Sequence, residues 1–269
     1  MRKILLAFLL LLSSNVLFAQ GYEKEYEKLY AWEVKQVDEF IERFNNDSTL
    51  IKQYTKKNDA KAQLTREKLI KSLFNAEGKN WNFVEINSFI KTVNDPHQPL
   101  RLKLSGDNLN AKLLCSIKYK HKPETATLIL KLEDLPNGSS KWVITDVEAA
   151  FLKPDSIDIK QKQPAIPLSN NSGISFIPTS HNVDFMNIDV ISKDKKNIAN
   201  YFVVPAKQSA ALKAFVRYCY DNTVEVKNVS QITYTINQIK GWTMEVQQFT
   251  RETKNCGWLI SKLTKTTVK

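Results

Sequence analysis

Glycine is scarce in this chain, seven in 269 residues. Loops that cradle phosphates and barrels punctuated at every corner both need glycines at close spacing, so nucleotide-binding folds lose their usual signature. Cysteine is scarce and odd in number: Cys115, Cys219 and Cys256. An exported chain would be expected to carry an even disulfide framework, and three thiols cannot supply one. Cys115 shares a strand face with Ile117 and Tyr119, and Cys219 lies on the helical face of Leu212, Phe215 and Val216, so both read as small buried hydrophobes. Cys256, in the last hairpin turn, is the expected exposed thiol; it has no His with Asn or Asp to make it a nucleophile. His97, His121 and His181 share no ligand spacing with one another or with the cysteines, so no metal is expected. G-x-S-x-G, H-E-x-x-H and phosphate-loop patterns are absent. No catalytic, cofactor-binding or metal residue is therefore assigned, and no cofactor is implied.

Long apolar runs are missing as well. The one candidate, Ile4 to Leu12, is about half of the ~20 residues that a spanning helix requires. It follows Arg2 and Lys3 and precedes Leu17-Phe18-Ala19, the order of a secretory signal peptide, so residues 1–19 are expected to be cleaved near Ala19. No cysteine follows the run to take a lipid anchor. The expected location is periplasmic or secreted, with no membrane span after cleavage.

What is present is basic. Lysine and arginine number 39 against 28 aspartates and glutamates, a net charge of +11. The surplus is uneven: residues 22–152 carry 21 basic and 19 acidic side chains, and residues 153–269 carry 16 and 9. A basic second half attracts acidic glycans, lipid headgroups or nucleic acid, or merely keeps an exported protein soluble. The absence of a dense Lys/Arg block argues against nucleic acid.

Two stretches set the organisation: Lys141-Trp142-Val143-Ile144 and Gly257-Trp258-Leu259-Ile260. The tryptophans lie 116 positions apart, Leu130 precedes one as Val246 precedes the other, and Ile117/Tyr119 answers Ile232/Tyr234. A period that long indicates a repeated domain, since solenoid repeats are far shorter. Apolar positions at three- and four-residue steps predict a helix over Tyr22 to Phe44. Thr65 is placed to cap a second helix with Leu69, Ile70, Leu73 and Phe74 on its face, ended by Gly78. Residues 80–94 fit helix or strand equally. Asp95-Pro96-His97-Gln98-Pro99 is a turn, Leu100, Leu102 and Leu104 alternate as a strand, and strands follow at Leu113 to Tyr119, Thr125 to Leu132 and from Trp142. Residues 153–173 are rich in Pro and Asn, the composition of an extended linker. Beyond them, residues 183–204 mix signals, with Lys193 to Asn197 as an exposed loop. A helix is expected from Gln208 to Tyr220, with strands at Val224 to Val226, Ile232 to Ile236, Trp242 to Phe249 and Trp258 to Leu263.

The resulting expectation is an α+β fold of two tandem units, 22–152 and a smaller 174–269, each with its helices packed on a curled antiparallel meander. Helices followed by a long antiparallel sheet whose last strand opens Lys-Trp or Gly-Trp resembles the nuclear-transport-factor-2-like, cystatin-like cone superfamily, as tandem units in exported bacterial proteins. That resemblance implies a pocket between sheet and helices, where a carboxylate and a Tyr or Asp would do any chemistry. In the first unit the residues to examine are then Tyr119, His121, Asp146 and Glu148. Lys118, Lys120 and Lys122 alternate as a cationic stripe or a solvated sheet face. The leading expectation is a non-enzymatic binding or scaffolding protein whose partner is a protein or glycan of the cell envelope. The alternative is a small-molecule hydrolase or isomerase with its site in the first unit.

Overall fold

The computed structural model describes residues 33–49, 51–53, 64–78, 81–104, 108–135, 140–152 and 185–266. Residues 1–32 and the 153–173 linker, with the signal peptide, the start of the first helix and His181, lie outside them. The chain divides into two compact units, Met1–Glu77 with Phe249–Leu259, and Gly78–Gln248 with Ile260–Lys269.

In the first unit, helix α1 runs Val37–Asn45 and buries Val37, Phe40, Ile41 and Phe44 on one face. Val34, inside the stretch expected to be helical, is instead extended and forms a parallel bridge to Gly257. Asn46, in the left-handed region at φ 63°, closes the helix by donating its N–H to the Arg43 carbonyl. Helix α2, Arg66–Ser72, begins at Thr65, whose hydroxyl accepts from the Lys68 N–H as expected. It ends at Leu73, well before Gly78. Arg66 joins the helices: its Nε donates to the Phe44 carbonyl at 2.9 Å and its guanidinium stands 5.3 Å over the Phe44 ring.

The segment after Phe249 completes this unit. Asn255 Nδ2 donates to the carbonyls of Ser72 (3.0 Å) and Phe74 (2.9 Å), while its Oδ1 accepts from the Ala76 N–H (2.7 Å). One side chain thus satisfies backbone groups left over at the end of α2. Arg251 reaches Asn75 Oδ1 at 2.5 Å and Glu77 at 2.8 Å. Cys256, expected to be exposed, is only 8 % exposed. Burial first, then the Glu33 carboxylate, pushes its thiol pKa up, against Arg251 and Arg43.

The second unit is built on an antiparallel sheet. Its strands are β1 (Leu109–Tyr119), β2 (Lys122–Asp134), β3 (Ser140–Glu148), β4 (Val224–Ile236), β5 (Trp242–Phe249) and β6 (Gly257–Lys265), in the order β3-β2-β1-β4-β5-β6. The first residues of β6 belong to the first unit. The α+β class holds, but the sheet is single: β1 pairs with β4 from Leu109↔Ile236 to Tyr119↔Val224. Two separate meanders are therefore not what forms. Nor do the matched intervals mark matched places. Tyr234 sits mid-strand between Ala111 and Val246, whereas Tyr119 closes a hairpin against Lys122 and Leu130 pairs with Ala111. β4 is one strand where two were expected, because two register shifts absorb its polar Lys227–Gln231 stretch. Leu100 to Leu104 is not a strand; the Lys103 backbone bonds instead to the Gln238 side-chain amide in both directions, each at 2.8 Å.

The described part of the ambiguous segment, residues 81–94, holds helix α3, Phe83–Val93, capped by Asn82, whose Oδ1 accepts from the Val84 and Glu85 N–H groups. Ile86, Phe89, Ile90 and Val93 are buried, and the Phe89 ring meets Trp242 edge-on at 5.4 Å. Asp95 makes the expected turn, accepting from the N–H groups of His97 and Gln98. Short helix α4 (Val190–Lys193) and a 3-10 turn at Ile198–Tyr201 fill the mixed region. Helix α5, Ala210–Tyr220, starts at the Ser209 cap and buries Leu212, Phe215, Val216 and Cys219.

Candidate functional site

The four residues that the cone resemblance singles out do not converge. Tyr119 ends β1 and stacks on Phe151 at 4.3 Å, with Tyr218 at 5.7 Å. Burial first, then Tyr119, raises the Tyr218 hydroxyl pKa. His121 is exposed at the tip of the β1–β2 hairpin, and Glu148 is exposed at the end of β3. Tyr119 pairs with Lys122 and Glu148 with Thr127, five residues on along β2, so about 3.3 Å per residue separates them by roughly 16 Å along the sheet. Asp146 is engaged elsewhere. A bulge beside Thr145 shifts the pleat so that Val147 takes the core position, and the Asp146 carboxylate accepts from Ser209 Oγ and from the Val147 N–H, each at 2.9 Å.

The cationic stripe is also dissolved. Lys120 and His121 have φ of 49° and 67° and form the two-residue turn between β1 and β2. Positive φ at both positions is the geometry of the tight turn that matches strand twist. Lys118 and Lys122 therefore flank a turn, and the Lys120 ammonium lies 5.2 Å over the Tyr119 ring. His97 is exposed on its Asx turn. Among the described residues, no group of three or more His, Cys, Asp or Glu is placed to hold a metal ion, and no helix is long and apolar enough to cross a membrane.

A cavity of about 200 Å³ does open in the second unit, between the start of α3 and β6, where Trp81, Asn82, Glu85 and Ile86 face Ser261, Lys262 and Leu263. Its volume falls below the ~300 Å³ at which pockets begin to enclose a small-molecule ligand. It has room for a side chain. Glu85 and Lys262 supply opposite charges at its wall, and Lys262 is shared with Glu245 at 3.4 Å. Beside it stand Phe83 and Val84, 71 % and 78 % exposed, which do not line the cavity. Scattered exposed apolar residues are ordinary, but two adjacent ones close in sequence to a half-buried Trp form a patch.

This patch was legible only as a surplus. Trp81, Phe83, Val84, Ile86, Phe89, Ile90 and Val93 are more apolar residues than one buried helix face accommodates, and Phe83 and Val84 are the pair left outside.

No family model matches the chain, and neither a curated protein nor a solved structure does.

Proposed function

We propose that the protein is an exported, non-enzymatic binding or scaffolding module of the cell envelope. The observation that carries this is the apolar surface at Trp81, Phe83 and Val84, at the rim of a cavity too small to enclose a substrate. Solvent exposure of such a surface is unfavourable unless something covers it. The competing reading, a hydrolase or isomerase in the first half, needs an ionisable pair within hydrogen-bond reach in a closed cavity. Tyr119 with Glu148 offers no such pair, and Asp146 is bonded to a helix cap.

Two further parts belong to the same proposal. Export rests on the Arg2-Lys3 start and the Ile4–Leu12 run. Descent of the two three-stranded meanders from one cone-like unit rests on the shared Trp-x-Ile opening of β3 and β6; the different ladder places of Tyr119 and Tyr234 count against it. The test is amide hydrogen exchange on the purified protein with separated lipid, glycan and protein fractions of the native envelope. Protection at Trp81–Glu85 by one fraction is expected. Turnover of small ester, amide or ketone substrates with no protection by any fraction would establish the enzymatic reading instead. N-terminal sequencing of the exported protein should begin just after Ala19, and recovery of Met1 would remove the export reading.

A further inference from the structure

We propose that the Trp81–Val84 tip of the second unit docks on the surface of an anionic lipid bilayer. The inference rests on the binding reading above and names its partner. Its first support is geometric: Phe83 and Val84, both exposed, are not among the residues that line the cavity, as Trp81 and Asn82 are. A ligand seated in that cavity would leave both side chains in water, so what covers them is broader than the cavity. The second is the order of side chains. Trp81, amphipathic and half-buried, is followed by Asn82 and two exposed apolar residues at a helix start. That arrangement suits an interface in which an indole sits at headgroup level and small apolar groups reach the acyl boundary.

Charge then selects the kind of surface. The unit formed by Gly78–Gln248 and Ile260–Lys269 carries 24 basic and 16 acidic side chains, against 15 and 12 in the other, so the larger positive excess belongs to the unit that contains Trp81–Val84. Lys262, at the cavity wall, and Lys265, three residues on along the same strand with its ammonium 5.9 Å over the Trp242 ring, are exposed; Glu85 is the half-buried acidic neighbour, and Glu245 shares Lys262. Two apolar side chains hold a protein on a membrane only marginally, and the attraction of a basic body to anionic headgroups is the second contribution that such docking requires.

The experiment is co-sedimentation of the intact protein with vesicles of phosphatidylcholine alone or containing about one-third phosphatidylglycerol, with brominated acyl chains as quenchers of tryptophan emission. Binding to the anionic vesicles is expected, weakening with added salt, with quenching that the Trp81→Phe variant loses. Phe83→Ser with Val84→Ser should lower the partition coefficient about tenfold or more. Both side chains are exposed, so this variant keeps its fold, which circular dichroism verifies. Lys262→Glu with Lys265→Glu should weaken binding to anionic vesicles only. Equal binding of the serine variant, or no sedimentation at all, overturns the proposal. If the same variant fails only to capture an envelope protein from a lipid-free extract, the lipid assignment is overturned while the binding reading stands.

Discussion

Trp142 and Trp258 open the last strands of their meanders, and both are buried, at 4 % and 2 % exposure. Their surroundings nevertheless differ. Trp142 belongs to an aromatic cluster on the sheet, with Phe185 at 5.9 Å and Tyr234 at 6.0 Å. Trp258 is fixed through its backbone: its N–H donates to the Val34 carbonyl at 2.7 Å, next to the bridge that Val34 makes with Gly257. The connections match this contrast. The first meander turns through two residues, Lys120 and His121; the last hairpin makes an excursion from Phe249 to Gly257 that Asn255 and Arg251 hold against the residues after α2. Both side chains are buried, but Trp258 also belongs to a stretch whose backbone is stitched to Val34.

The sharpest way to break the comparison is at Gly257. A Cβ there would lie 2.0 Å from the Val34 oxygen, and φ is +84°, a conformation open mainly to glycine. Gly257→Ala should cost about 3–5 kcal/mol by urea denaturation, with exchange protection lost first across residues 33–45. An unchanged midpoint would mean that the Val34 bridge is dispensable. Trp142→Ala should cost about 3–5 kcal/mol through the cavity it leaves, with protection lost in β2 and β3 instead. If both variants lose protection in the same residues, the two tryptophans do one job and the contrast fails.

A pH titration sharpens the picture of the second unit. Burial, then the charge and hydrogen bond of Asp194, pushes the Tyr201 hydroxyl up to about 12 from its ordinary 10.0, and burial pushes the Cys115 thiol up to about 12 from 9.0. The folded state holds protons that the unfolded chain releases. Their contribution is complete below pH 9.0–10.0 and is lost as pH rises through about 12. Tyr201→Phe should therefore make the fall in stability over that window shallower, as measured by denaturant midpoints at successive pH values. The smallest effect is expected at the first turn. Replacing Lys120 by Asn and His121 by Gly removes two side chains from left-handed backbone and should stabilise by about 1 kcal/mol in the same assay.

Much of this architecture follows from local pattern. The Thr65 cap, the Asp95 turn, the α5 face of Leu212, Phe215 and Cys219, and the strands at Leu113–Tyr119 and Trp242–Phe249 depend on neighbours a few residues away. What the pattern missed is non-local. Whether β1 ends a sheet or lies at its centre depends on a partner more than a hundred residues later, which periodicity does not encode. Cys256 was misjudged for the same reason: a turn residue reads as exposed until the chain around Val34 and Arg43 closes over it. Lys120 was misread because alternation was carried through a turn that contains no glycine to announce itself. The apolar tip at Phe83 and Val84 was visible as composition, but only the helix phase shows which residues are left out.

The β1–β4 ladder has a consequence for how the chain comes into being. Leu109–Tyr119 is made long before Val224–Ile236, so while the chain is growing the first meander exists with β1, central in the finished sheet, still an open edge. That edge offers free N–H and C=O groups beside Leu113, Cys115 and Ile117, a template on which another nascent chain can add. Completion of the sheet waits for a contact of large sequence separation, which forms slowly because a long loop must close first. The vulnerable interval in the life of this protein is therefore the time between the emergence of residue 119 and that of residue 236, and a holding factor acting in that interval would protect it more than any factor acting on the finished fold.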